Sequence, residues 1–272
     1  MHTQTPLTPT SRFSLTGTQL KFIAAFFMLI DHIHSYFPEV TPDWFSFLGR
    51  FVAPLFTFLL VEGFFYTHSR RKYLTRLTLG ASVMVIMNTL QNVLTGAAFD
   101  TFTHKFSFFL LFLSGHNIFI TLALMFSVIW LIDILRQQEH LLIKLTLLLP
   151  IGALMVLTLM VEGGVYLLPI VLVCYFSHNQ KKWVMSFILL FSLLLLGKSI
   201  FTYYQMQLPN ESLYSYLTFS SEFMMILAVP LIGLYNGQRG GNGSKWDKNF
   251  FYYFYPAHLA IIYIIYDFIH VF

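Results

Sequence analysis

The sequence predicts an all-α integral membrane protein, a polytopic bundle of about nine transmembrane helices with a cytoplasmic N-terminus. Three observations carry that expectation. Hydrophobic residues make up 57% of the 272 positions and charged residues only 10%, against roughly 25% charged in soluble domains. Apolar stretches of roughly 20 residues, enough to cross a hydrocarbon core, recur along the whole chain. Lys and Arg gather in alternate connecting segments. No polar region is long enough for a separate soluble domain. Residues 1–16 therefore read as a polar cytoplasmic tail and 17–272 as a single transmembrane domain.

The first helix is expected at 18–37. It is too long for a signal-peptide core and no small-residue cleavage site follows it, so it reads as an uncleaved span. The second, 48–67, opens beside Arg50 and ends at a basic run. The third, 74–94, carries Asn88, Gln91 and Asn92, which suit interhelical hydrogen bonds. FTHKFSFFLLFL (102–113) is apolar but stops at Ser114-Gly115, as an interfacial or re-entrant helix would. Further spans are expected at 115–135, 142–160, 164–177 (short, with Pro169), 183–204, 217–235 and 249–270.

With the N-terminus inside, the cytoplasmic segments hold Arg12, Lys21, Arg70, Arg71, Lys72, Arg76, Arg136, Lys144, Lys181, Lys182, Arg239, Lys245 and Lys248. The external loops hold only Lys105. That asymmetry predicts nine spans with the C-terminus outside. It also explains the net charge of +4 as a topology signal rather than a nucleic-acid surface. Cys174 is the single cysteine, so no intrachain disulfide can form.

Ionisable groups inside spans are functional candidates, because burying charge in a membrane is costly. Asp31, His32 and His34 fall in the outer half of the first helix; Arg50, His116 and Glu162 fall near outer helix ends, and His258 near the middle of the last span. Glu62 lies further in. Lys21 and His32 are eleven residues apart. Three helical turns put them on one face, roughly 16 Å apart along the axis. This spacing suits a long ligand that enters from the cytoplasm and presents its reactive end to His32, the side chain suited to acid–base work near neutrality. Asp31 points about 100° away and suits a partner on another helix, such as Arg50.

Arg70, Arg71, Lys72 and Arg76 form a dense basic cluster that could bind phosphate, or could serve topology and anionic-lipid contact. The glycine-rich loop Tyr235–Asn249 adds Arg239. It could approach a phosphate closely, or be an ordinary turn, and it matches no nucleotide fingerprint. No metal site is expected, since Asp31, His32 and His34 cannot share a helix face.

Several blocks together resemble the TraX family of membrane proteins, which is linked to N-terminal acetylation of conjugative pilin. They are LKFIAAFFMLIDHIH, LGRFVAPLFTFLLVEGFFYTHSRRKYLTRL, SGHNIFITLAL, VPLIGLYNGQRGGN and KNFFYYFYPAHLAIIYII. TraX proteins look related to transmembrane acyltransferases that include heparan-α-glucosaminide N-acetyltransferase and the bacterial acyltransferase family 3 proteins. The latter carry a basic residue, ten intervening residues and a catalytic histidine on their first core helix, a spacing that Lys21 and His32 match. The resemblance implies acetyl-CoA as cytoplasmic donor, His32 as catalytic histidine and a bacterial plasma (inner) membrane location.

The expected function is thus an acetyl-CoA-dependent acetyltransferase acting on an extracytoplasmic acceptor, an amine such as a protein N-terminus. A glycan or lipid hydroxyl stays open as acceptor. The expected site comprises His32 as base, Arg50 or His116 at the oxyanion, and Asp31, Glu62 and His258 in the polar centre. Lys21, Arg70, Arg71, Lys72, Arg76 and Arg239 would hold the CoA end. The expected partners are acetyl-CoA, the acceptor and membrane lipid, with no nucleic acid. A proton-coupled transporter is the rival, and would show broken helices in two matching halves. A structural accessory protein is a third reading.

Overall fold

A computed structural model describes residues 14–100, 103–206, 211–242 and 245–270. Most of the expected tail (1–13) and Phe102 lie outside the described residues. The described residues are helical, with two isolated bridge pairs and no strand.

Helix α1 (Gly17–Tyr36) starts on a capping box, in which Thr16 accepts from the Gln19 amide and Gln19 accepts from the Thr16 amide. α2 (Phe45–Gly49) runs almost straight into α3 (Val52–Tyr66). α4 is Arg70–Leu94, capped by Ser69. α5 (Phe108–Leu113) is a short helix inside the expected interfacial segment. α6 is Ile118–Gln137, α7 Leu141–Leu159, α8 Gly164–Phe176 and α9 Lys181–Met206. Then come α10 (Leu213–Phe219), a 3-10 segment (Glu222–Leu227), α11 (Ala228–Leu234) and α12 (Lys245–His270).

Among the described residues, five helices are long and apolar enough to cross a membrane, or six if the bent α10/α11 pair counts as one span. The expectation of nine is therefore not met by length and apolarity alone. α8 is apolar, but its 13 residues extend only about 20 Å. α1 and α12 are long enough but are not among the five. The polar groups that interrupt their apolarity include Lys21, Asp31 and His32 in one and Asp247, His258 and Asp267 in the other.

The expected continuous helix at 217–235 is broken instead, with a bend of 65°. Its sequence there is Ser220-Ser221-Glu222, whose side chains compete with the backbone ladder. The Ser220 and Ser199 hydroxyls are 2.9 Å apart, and Ser221 accepts from Arg50 Nε at 2.8 Å. Irregular backbone survives at membrane depth only where it is buried in protein or lines a cavity, and this break lines one.

α3, α6 and α8 pack on one another and supply much of the apolar core, including Phe58, Phe64, Phe126, Ile129 and Ile170. α1 packs against α2, α3 and α12; α4 packs against α5, α6 and α12. Asn88, Gln91 and Asn92 are buried and make the expected contacts between elements. Asn88 Oδ1 accepts from the Tyr263 hydroxyl at 2.8 Å, Gln91 donates to Asp267 at 2.6 Å, and Asn92 donates to the Leu110 and Leu111 carbonyls. Cys174 is a buried small side chain.

Candidate functional site

The site grows from three close approaches. At Gly49, α2 comes so near α1 that a Cβ there would sit 2.1 Å from the Asp31 carboxyl. Glycine thus lets Asp31 lie flush against α2, while His32 turns toward α12. Asn117 forms the N-cap of α6 by accepting from the Ile120 amide, which leaves His116 free of capping. The α7–α8 turn, with Gly163 at φ +68°, carries Glu162 to that same helix start. Glu162 accepts from the Asn117 amide at 2.6 Å and contacts His116 Nδ1 at 2.9 Å.

Three histidines from distant parts of the chain meet here. His32 Nδ1 lies 2.7 Å from His258 Nε2, and the His32 and His116 rings are 4.6 Å apart. Tyr255 meets the His32 ring edge-on at 5.8 Å. His32 and His258 are 4% and 5% exposed, so their hydrogen bonds act with little solvent competition.

The hydrogen-bond chain fixes the tautomers of the neutral rings. His258 Nδ1 lies 2.7 Å from the Phe254 carbonyl, which can only accept, so Nδ1 carries the proton. His258 Nε2 then accepts, and His32 Nδ1 donates to it. His32 Nε2 is left with its lone pair. That is the form a general base requires.

A cavity of about 240 Å³ opens beside His32. Asp31, Arg50, Glu162, Glu222 and Tyr255 share its wall with His32. Its volume suits small groups rather than a whole nucleotide. Arg50 and Asp31 form no ion pair within 4 Å among the described residues; Arg50 binds Ser221 instead.

Of the sequence-predicted residues, His32, Asp31, Arg50, His116 and His258 come together. Glu62 does not. It lies twelve residues beyond Arg50 on the same run of helix, roughly 18 Å away. There its carboxylate is 3.3 Å from His178 Nε2.

Lys21 and Arg239 fall at the same end of α1. The segment before α1 pairs with the glycine-rich loop: Leu15 donates to the Leu234 carbonyl, Asn236 to Leu15, Gly17 to Gln238 and Thr18 to Arg239. Gly240, at φ +69°, has no room for a Cβ beside Thr16. Lys21 lies 5.7 Å from the Phe251 ring and forms no ion pair with a carboxylate among the described residues. Arg71, Lys72 and Arg76 are exposed. Arg70 is held in an ion pair with Asp133 at 2.6 Å, over the Phe64 ring. A phosphate would have to compete with Asp133 for it.

Sequence reasoning placed Glu162 at a helix end but not in the site, and it passed over Glu222 and Tyr255. The signal for Glu222 was present: an acid inside an otherwise apolar span.

The family model described as "TraX protein" matches residues 16–266. The chain is 30% identical over 253 residues to the "Probable fimbrial assembly protein FimC, serogroup H1" of Dichelobacter nodosus, covering 90% of this chain and 93% of that relative. No solved structure matches the chain.

Proposed function

The chain belongs to the TraX protein family, and from that premise we propose that it is an acetyl-CoA-dependent acetyltransferase of the bacterial inner membrane. Residues 17–272 form one catalytic domain of nine spans with the N-terminus in the cytoplasm. α1 and α12 cross the membrane as part of the bundle, their polar residues turned to the site. The observation that supports this reading is the 2.7 Å contact of His32 Nδ1 with His258 Nε2 beside the cavity, which leaves His32 Nε2 to accept a proton.

His32 Nε2 takes a proton from the acceptor nitrogen as that nitrogen forms its bond to the thioester carbonyl carbon. Arg50 lies on the cavity wall with its Nε held by Ser221, which leaves its terminal nitrogens to stabilise the oxyanion. When the carbon–sulfur bond breaks, His32 returns the proton to the departing thiolate. Lys21, Arg239, Arg71, Lys72 and Arg76 hold the phosphates at the cytoplasmic end, roughly 16 Å from His32 along α1. The acceptor reaches the cavity from the opposite side.

The acceptor is an amine on an envelope protein. The fimbrial name of the relative favours a fimbrial subunit's N-terminus over a glycan or lipid hydroxyl. A proton-coupled carrier is the second reading, favoured by the 65° break in the α10/α11 span. Purified protein in nanodiscs, given radiolabelled acetyl-CoA and a panel of amine and hydroxyl acceptors, separates the two. Acetyltransfer predicts acceptor-dependent CoA release that is lost in His32→Ala; a carrier predicts none.

A further inference from the structure

The cavity beside His32 carries an imbalance of charge. Three carboxylates face it, Asp31, Glu162 and Glu222, and one guanidinium, Arg50. Glu162 is engaged by His116 and by the Asn117 amide. Glu222 has neither an ion pair nor a side-chain hydrogen bond among the described residues, although Arg50 is bound to the adjacent Ser221. Glu222 opens the 3-10 segment that follows the break in the span, and it lines the cavity. His32, nine-tenths buried, faces the same space with its Nε2 unpaired. A carboxylate without a cation and a base without a proton thus border one small volume.

We infer that Glu222 is an acceptor-binding residue: its carboxylate receives the primary ammonium of the acceptor, takes one of its protons and later passes it to water, and holds the resulting neutral amine with an N–H toward His32 Nε2. The inference rests on the acetyltransfer reading of this cavity and adds to it the residue that selects the acceptor. A neutral hydroxyl gives Glu222 no charge to meet, so the site prefers cationic amines before any chemistry occurs. An acetylated amine has lost its charge and is released, which makes the same contact a product-ejecting one.

The test is a binding measurement without acetyl-CoA, so that it does not depend on turnover. Protein in nanodiscs is titrated with a hexapeptide labelled at its C-terminus, with its N-terminus either free or acetylated. The wild type should bind the free form about tenfold more tightly, the size expected of a charge-assisted hydrogen bond. Glu222→Gln, the same shape without the charge, should abolish that preference. A second measurement needs no variant: ethylammonium chloride should displace the free peptide from the wild type and ethanol at equal concentration should not. No preference in the wild type, an undiminished preference in Glu222→Gln, or displacement by both compounds overturns the inference. CoA release is read separately. If His32-dependent release persists while the preference survives in Glu222→Gln, only the role of Glu222 falls. If release is absent as well, the acetyltransfer reading falls with it.

Discussion

Two clusters of the described residues set a carboxylate against a histidine inside the helix bundle, and their chemistry is alike. One gathers Asp31, Glu162, Glu222, Arg50, Tyr255 and three histidines. The other joins Glu62 to His178 at 3.3 Å, sets Phe65 tilted against that histidine at a centroid distance of 3.9 Å, and ties Lys181 to the Tyr235 carbonyl. Each contains a carboxylate, an imidazole, a cation and a tyrosine. The difference is space. The His32 cluster borders the cavity, whereas Glu62 and His178 do not line it and are closed over by aromatic rings. A group meant to react needs room for a partner; a group meant to hold helices together is better served by none.

The largest effect that sharpens this comparison is at His258. Its Nε2 holds His32 in the reactive tautomer, so His258→Ala should lower kcat by about 10- to 100-fold with KM for acetyl-CoA little changed. Gln can offer an oxygen near the position of Nε2, so His258→Gln should recover part of the rate. Steady-state kinetics on both variants checks this, and equal losses would mean the bond matters only for packing.

Next comes the basic start of α4. Arg71→Ala, Lys72→Ala and Arg76→Ala combined should raise KM for acetyl-CoA about tenfold and leave kcat within about twofold. Arg70→Ala should behave differently. It leaves Asp133 without its cation, held only by the Tyr175 hydroxyl and the Gln137 amide, so thermal unfolding should occur at a lower temperature while KM moves little.

The smallest kinetic effect is expected at Glu62. Glu62→Gln should change kcat/KM by no more than about twofold while lowering Tm, since it weakens a half-buried contact with His178. A loss of rate like that of His258→Ala would erase the distinction between the two clusters.

Much of the architecture was legible in the sequence because a span in lipid must satisfy its own backbone. Eight of the nine expected spans therefore correspond to helices with close boundaries. The ninth was not legible. An apolar stretch looks the same whether straight or bent at Ser220-Ser221, and the bend depends on Ser199 and Arg50, both distant in sequence. For the same reason Glu222 escaped notice while His32 did not: His32 shares a helix with Lys21, and helical spacing is readable locally. The pairing of His32 with His258 spans 226 positions and depends on how α1 and α12 pack, which no local period encodes. Glu62 lies away from the cavity, beside His178, a placement that depth along the helix does not encode.

The central claim is that His32 is the base of an acetyl transfer. The most direct measurement is CoA release by purified protein in nanodiscs with an amine acceptor, comparing wild type and His32→Ala at equal folded fraction. The account predicts acceptor-dependent release in the wild type and a fall of at least about 100-fold in the variant. Equal release from both proteins, or acceptor-dependent transfer that persists without His32, would contradict it.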